Sequence, residues 1–338
     1  MNPPGLDLER LSSWFASAGL GTGDSLSATL IAGGKSNLTF VVTGGGGEWI
    51  VRRPPLGHVL ATAHDMGREF RVMTALQETA VPVPRTYALC ADSSVIGAEF
   101  YVMQRCAGTP YRRAAELIAL GADRARTISE RLVDTMAELH LVDPTEVGLE
   151  GFGRPEGYLR RQVDRWKRQL DASHSRDLPA ADELHRRLTA QVPSESAAGI
   201  VHGDFRLDNV LFDAGDRPTA VLDWEMATLG DPLSDLALML TYHRLADAST
   251  SVLVTDASRA PGFLTEDEIV ARYSAKTGRD LSSLGFHLAL AVFKLAAILE
   301  GIHFRHLQGQ TVGEGFDGIG EAIEPLLDAG LDVLEGSR

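Results

Sequence analysis

Asp204, Asn209 and Asp223 are the residues of this 338-residue chain whose types and spacing could do chemistry. They stand in Val201-His202-Gly203-Asp204-Phe205-Arg206-Leu207-Asp208-Asn209 and in Val221-Leu222-Asp223-Trp224-Glu225. The order is a carboxylate, an amide five residues on, and a second carboxylate nineteen residues beyond the first. Phosphoryl transfer from ATP asks for such a set. One group must orient an attacking hydroxyl, and oxygen ligands must hold Mg²⁺ on the triphosphate. The protein otherwise supplies in-line positioning and charge neutralisation. Mg²⁺ is a hard cation that keeps several waters and takes one or two protein oxygens. An Asp carboxylate and an Asn carbonyl fit that description.

The elements that must position these residues are legible beside them. Gly199-Ile200-Val201 is a short apolar run entering the first segment, and Val210-Leu211-Phe212 is a second. Asp213-Ala214-Gly215-Asp216-Arg217-Pro218 is a turn signal, with Asp213 and Asp216 read as turn formers. Thr219-Ala220-Val221-Leu222 is a third run ending at Asp223. Two short strands joined by a turn would thus carry both metal ligands to one edge. Further on, Asp231 and Pro232 read as the N-cap and first turn of a helix.

The pattern His-x-Asp-x-x-x-x-Asn resembles the catalytic loop of protein kinases. By that match Asp204 would accept or orient the substrate hydroxyl proton, Asn209 would bind Mg²⁺, and Asp223 would be the main Mg²⁺ ligand. Asp235 would anchor the backbone of the catalytic loop. The two segments together resemble the aminoglycoside phosphotransferase and choline kinase-like superfamily, which shares the protein-kinase fold. His-Gly-Asp-Phe-Arg-Leu-Asp-Asn and Leu-Asp-Trp-Glu-x-Ala-x-x-Gly-Asp-Pro-x-x-Asp-Leu look most similar to the kinase-like domain fused to acyl-CoA dehydrogenases in some eukaryotes, and to its free-standing bacterial relatives. The resemblance runs from about Ile31 to about Gly309. It implies a bilobal α+β protein with a sheet-rich N-terminal nucleotide-binding lobe over residues 1–105. A mainly helical lobe, carrying the catalytic loop and acceptor site, would follow over 106–338.

Within the first lobe, residues 1–20 read as a helix with Leu8, Leu11, Phe15 and Ala18 on one face. Strands follow at 27–32, 38–43 and 48–53. The loop Gly33-Gly34-Lys35-Ser36-Asn37 matches the position of the kinase nucleotide loop, where small residues let backbone N–H groups approach phosphates. The run Gly44-Gly45-Gly46-Gly47 reads instead as a hairpin tip. Strand alternation puts Ile50 and Arg52 on one face, with Val51 and Arg53 on the other. Arg52 matches the kinase lysine that grips phosphates, and Arg can fork two donors toward them without being equivalent to Lys. Glu69, on a helix expected over 62–79, would pair with Arg52 as the kinase helix glutamate pairs with its lysine. Strands near 85–90 and 99–104 lead to Gln104-Arg105-Cys106-Ala107-Gly108, the expected hinge. There the backbone of Gln104 and Cys106 would meet adenine.

The remainder reads as mainly helical, including 127–141 and 157–171. Arg161 and Arg165 share one face of the latter, where they either pack beside Trp166 or meet an anionic acceptor. His303 and His306 lack a third metal ligand, so no zinc site is expected. An apolar helix near 288–299 carries Lys294 and looks too short to span a bilayer.

Hydrophobic residues make up 44% of the chain, ample for a buried core, and the net charge of −14 disfavours nucleic acid or an anionic membrane as partner. With only Cys90 and Cys106 there is no disulfide framework, and no basic-then-apolar leader stands at the start. A cytoplasmic setting is expected. The function expected is ATP- and Mg²⁺-dependent phosphorylation of a small-molecule hydroxyl. The branch resemblance points to a hydroxyacyl or acyl-CoA-type acceptor, which Arg161, Arg165 or Arg206 could meet. An aminoglycoside kinase, a transferase acting on protein side chains and a non-catalytic nucleotide-binding regulator are the alternatives. Oligomeric state and ATP versus GTP are left open.

Overall fold

The computed structural model describes residues 3–21, 25–31, 37–56, 65–173, 175–193, 198–248, 255–311, 316 and 318–336. Helix α1 (Leu8–Ser17) is capped by Asp7, whose side chain accepts from Arg10 N–H, and it buries Leu11 and Phe15. It packs on an antiparallel sheet built from β1 (Ser27–Leu30), β2 (Leu38–Gly44), β3 (Gly47–Arg53), β4 (Thr86–Cys90) and β5 (Phe100–Gln104), in the order β1-β2-β3-β5-β4. The turn between β2 and β3 pairs Gly44 with Gly47 and holds Gly44, Gly45 and Gly46 at φ +138°, +58° and +86°. Side chains with a Cβ resist that backbone, which accounts for the glycine run.

Alternation along the strands sorts the sheet's two faces. Phe40, Val42, Trp49, Val51, Phe100 and Val102 join Leu11 and Phe15 in a core on the outer face. Ile50, Tyr101 and Met103 point the other way, into the main core with Met66, Val72, Met73 and Leu76 of α2 (Met66–Leu76). α2 is capped by Asp65, whose carboxylate accepts from Arg68 N–H.

The rest of the chain is helical around a few short strands. α3 (Ala114–Leu120), α4 (Ala122–Leu141), α5 (Tyr158–Ala172) and α6 (Pro179–Ala190) precede β6 (Gly199–Val201), β7 (Val210–Phe212), β8 (Pro218–Val221) and β9 (Thr228–Gly230). β7 pairs with β8 and β6 with β9, both antiparallel. The chain then closes with α7 (Leu233–Ala248), α8 (Glu266–Thr277), α9 (Leu284–Leu307) and α10 (Ile323–Gly336). Asp231 accepts from Leu233 N–H at 3.0 Å at the entry to α7.

α9 corrects one sequence expectation. At 24 residues it is long and apolar enough to cross a membrane, so shortness is not what argues against a span. Its apolarity has a different cause: 72% of the apolar window is buried in the fold, with α5, α6, α7 and α10 packed on it. It is the central helix of the second lobe, and the architecture is a sheet-rich lobe joined to a helical one.

Candidate active site

β7 and β8 bring the two ends of the motif together. Val210 pairs with Val221, and Leu222 N–H donates to Asn209 O at 2.8 Å. His202 Nε2 lies 2.9 Å from Leu222 O, and His202 Nδ1 accepts from Asp204 N–H at 3.2 Å, which assigns the proton to Nε2. The residue before Asp223 is thereby tied to both the start and the end of the 202–209 loop. Asp223 itself sits at φ +66°, ψ +60°, a left-handed conformation uncommon outside glycine. Such a backbone is retained where the surroundings over-determine it, as at functional sites.

Asp235, the residue expected to anchor this loop, is fully buried on α7 and accepts from His202 N–H and Gly203 N–H, each at 2.7 Å. His140 Nε2 lies 3.2 Å from the same carboxylate, and His140 Nδ1 is 2.8 Å from Tyr273 Oη. Burial works to raise the Asp235 carboxyl. His140 and His202 outweigh it and hold the group below the usual carboxylate range.

Asp204 is held from three sides. Asn209 Nδ2 donates to its Oδ2 at 3.1 Å and to its backbone O at 2.9 Å, Tyr242 Oη is 3.4 Å from Oδ1, and Arg206 Nε is 3.6 Å from Oδ2. The donor side of the Asn209 amide is thus committed to Asp204, and its oxygen takes no part in these bonds. The Arg206 guanidinium lies 4.9 Å from the Tyr242 ring centre and donates to Asp208 at 2.9 Å. Burial pushes Tyr242 up, and Asp204 beside it pushes it further, so its phenol stays protonated as a donor.

Across the cleft, Arg52 of β3 faces inward and Arg53 faces away. Arg53 binds the carbonyls of Gly5 and Ile96 at 2.6 and 2.8 Å. Arg52 reaches Glu69 of α2 with Nε at 2.9 Å, Asp223 with Nη2 at 2.6 Å and Glu225 at 4.0 Å. Burial disfavours its charge, but Glu69 foremost and Asp223 more than offset this, and the guanidinium is held above its ordinary value. Glu69 is 1% exposed, and burial pushes its carboxyl up against the opposing pull of Arg52 and Tyr101. Tyr101 Oη donates to Glu69 Oε2 at 2.8 Å, and Asn37 Nδ2 bridges Glu69 at 3.1 Å and Glu225 at 3.2 Å.

Asn37, Arg52, Tyr101, Asp204, Arg206, Asn209, Asp223 and Glu225 line one cleft of about 840 Å³, together with Ile31, Met103 and Cys106. The expected hinge residues sit at its edge. Gln104 N–H donates to Arg85 O at 2.8 Å, which commits that donor to the sheet. No described residue engages the Cys106 backbone in that network. Gly33, Gly34, Lys35 and Ser36 lie outside the described residues. Only Asn37 of that loop is described, and it lines the cleft through its bonds to two carboxylates.

For Arg161 and Arg165 the sequence left packing beside Trp166 and contact with an acceptor both open. Arg161 donates to the carbonyls of Arg154 and Glu156, Arg165 lies 5.1 Å from the Trp166 ring centre, and neither lines the cleft. Arg112, Arg113 and Arg206 do line it. Sequence reasoning missed Tyr101, Tyr242, Glu225 and Arg112. Glu225, two residues beyond Asp223, carried the one local signal; the others reach the site through tertiary packing.

Comparison with known proteins places the chain in a family. Residues 27–269 match the model of the phosphotransferase enzyme family named APH. The chain is 37% identical over 320 residues to acyl-CoA dehydrogenase family member 11 of Gallus gallus, covering 91% of this chain and 40% of that protein. It therefore spans well under half of that relative. Among solved structures, a provisionally assigned aminoglycoside phosphotransferase from Ralstonia eutropha JMP134 superposes with a TM-score of 0.83 at 32% identity, over 98% of this chain and 99% of that one. The aminoglycoside phosphotransferase APH(4)-Ia, in a ternary complex with AMP-PNP and hygromycin B, gives 0.62 at 16% identity, over 96% and 98%. At that identity it speaks to the fold alone, a bilobal kinase-like α+β architecture. With a family match over most of its length, the chain belongs to the APH phosphotransferase family.

Proposed function

We propose that this protein is a small-molecule kinase that transfers the γ-phosphoryl group of ATP to a hydroxyl. The observation that carries the reading is the meeting of Asp204, Asn209, Asp223 and Arg52 in one cleft, with Glu69 and Asp235 holding the last and the first loop in place. Asp204, 27% exposed, is the group placed to orient an acceptor hydroxyl and take its proton. Arg52 is a fork of charge-assisted donors suited to phosphate oxygens. The Asp223 carboxylate and the Asn209 oxygen are the hard donors that would hold Mg²⁺, which when bound neutralises charge on the transferring phosphate. The Arg52–Asp223 contact of 2.6 Å would loosen as Arg52 turned to phosphate.

The acceptor side of Asp204 carries Arg206, with Arg112 and Arg113 along the same cleft. That basic lining supports an anionic acceptor, of the hydroxyacyl or acyl-CoA type, over a cationic aminoglycoside. The division near residue 105 into nucleotide and acceptor lobes, and a cytoplasmic setting with dissolved metabolites as partners, belong to the same reading. The test is ADP formation from MgATP with hydroxylated acyl-CoA species in one panel and kanamycin-type aminoglycosides in another. Acceptor-dependent ADP release with the first panel is expected. Release with aminoglycosides alone would replace the acceptor assignment, and release with neither, in a protein that binds MgATP, would favour a regulatory nucleotide binder.

A further inference from the structure

Beneath the catalytic loop, α5, α7 and α9 meet around a small cavity of about 40 Å³ lined by Tyr158, Gln162, Trp166, Gly203, His287 and Lys294. Lys294 comes from the middle of the central apolar helix, a costly place for an ammonium. Its Nζ donates to Gly203 O at 2.7 Å and lies 5.5 Å from the Trp166 ring centre. Burial pushes this lysine down, while the charges of Asp204 and Asp235 work to keep it protonated.

Gly203 explains what such a lysine does. It sits at φ +85°, and a Cβ there would come 2.7 Å from Met226 Cβ and 2.9 Å from Met226 O, so the position takes only glycine. Glycine is also the residue with the widest backbone freedom, and here it immediately precedes Asp204. Two peptide groups flank its Cα. The 202–203 group is fixed by its N–H to Asp235 Oδ1 at 2.7 Å. The 203–204 group has only a longer bond, Asp204 N–H to His202 Nδ1 at 3.2 Å, on its donor side; its carbonyl is taken by Lys294. A carboxylate on one side and an ammonium on the other thus supply charge-assisted bonds to both groups.

The geometry points to Lys294 as a positioning residue for Asp204: by holding the Gly203 carbonyl, its ammonium fixes the peptide group from which the catalytic carboxylate projects. The catalytic consequence rests on the kinase reading of Asp204, whereas the anchoring of the loop does not. Misplacement of a reacting group by about 1 Å can cost ~10²-fold in rate.

The experiment compares wild type, Lys294→Met and Lys294→Arg in MgATP affinity by calorimetry and in ADP release from MgATP, with water as acceptor where none is supplied. Amide hydrogen exchange is followed in the peptide spanning 198–212. Lys294→Met is expected to bind MgATP within about threefold of wild type and to lose about 10- to 10²-fold in turnover. Its exchange should quicken in the 198–212 peptide, and Lys294→Arg, which keeps a charged donor, should recover most of both. Unchanged loop exchange and turnover in Lys294→Met would overturn the proposal. So would equal damage in both variants with exchange raised throughout α5, α7 and α9, the mark of a packing role. Should Lys294→Met fail to fold, Lys294→Gln carries the same comparison. If wild type neither binds nor turns over MgATP, the kinase reading fails, and the exchange data alone decide whether Lys294 holds the loop.

Discussion

At the scale of the residue, the site is a set of carboxylates whose neighbours give each a different task. Asp204 keeps a solvent-facing edge and is fixed by Asn209, Tyr242 and Arg206. Asp204→Asn preserves that shape and removes the proton acceptor. It is expected to lower kcat by ~10²–10⁴, the range for a lost acid–base group, with MgATP affinity little changed. Steady-state kinetics beside calorimetry check this, and an unaltered kcat would remove Asp204 from the reaction. Arg52 is the opposite case, a half-buried cation shared among Glu69, Asp223 and Glu225. Arg52→Ala leaves Glu69 buried without its partner cation, a loss of about 3–5 kcal/mol in unfolding free energy. Denaturant melts of Arg52→Ala beside Arg52→Lys test it, the lysine recovering part of the loss. The choice between Arg52 and Arg53 was legible because strand alternation is a strict period of two. Tyr242 and Lys294 were not, because nothing in their own neighbourhood of sequence says that α7 and α9 pass under the catalytic loop.

At the scale of the element, the 202–209 loop is a short irregular segment held by what lies below it. Asp235 carries much of that support. Its folded pKa lies below its unfolded value near 3.9, so the folded state binds fewer protons there and the stability it contributes is fully present above that pH. The contribution is lost as pH falls through the depressed folded value. Asp235→Asn, uncharged throughout, should therefore be less stable than wild type at pH 7, with a gap that narrows on acidification below about pH 4. Urea melts across that range decide it, and a gap independent of pH would mean that the carboxylate's charge is not what anchors the loop. Elements with a clear apolar period were readable in the sequence, as were those set by turn chemistry. The boundaries that moved have local causes. α4 begins at Ala122, five residues before the expected start at 127, because Gly121 at φ +94° lets the chain turn directly from α3 into a polar first helical turn that has no apolar period to mark it. α9 runs from Leu284 to Leu307, beyond the mostly apolar 288–299, because its ends carry His287, Glu300 and His303, whose polarity masks the helix at both sides.

At the scale of the whole molecule, polar bonds among the described residues tie the two lobes together. Arg52 of the sheet holds Asp223, Asn37 holds Glu225, and Arg68 of α2 donates to Phe152 O at 2.7 Å and Ala227 O at 3.1 Å. Arg68 also lies 4.2 Å from the Phe152 ring centre, away from the nucleotide groups. The first two ties run through the groups that would meet phosphate and metal, so nucleotide would replace those two polar bonds with a charged ligand bridging both lobes. A ligand that binds only the folded state stabilises it by mass action, about 2.7 kcal/mol at a hundredfold excess over Kd. MgATP is therefore expected to raise the thermal midpoint of the whole chain in one transition, with ATP weaker when Mg²⁺ is withheld. Asp223→Ala should abolish the Mg²⁺-dependent part of that shift, and Asp204→Asn should leave it in place, since on the proposed function the first removes a metal ligand and the second a proton acceptor. Differential scanning fluorimetry with MgATP, MgGTP and Mg²⁺ alone makes the measurement. Equal shifts in all three proteins would separate nucleotide binding from Asp223, and a shift missing from Asp204→Asn would make Asp204 part of the nucleotide site, reversing the two assignments.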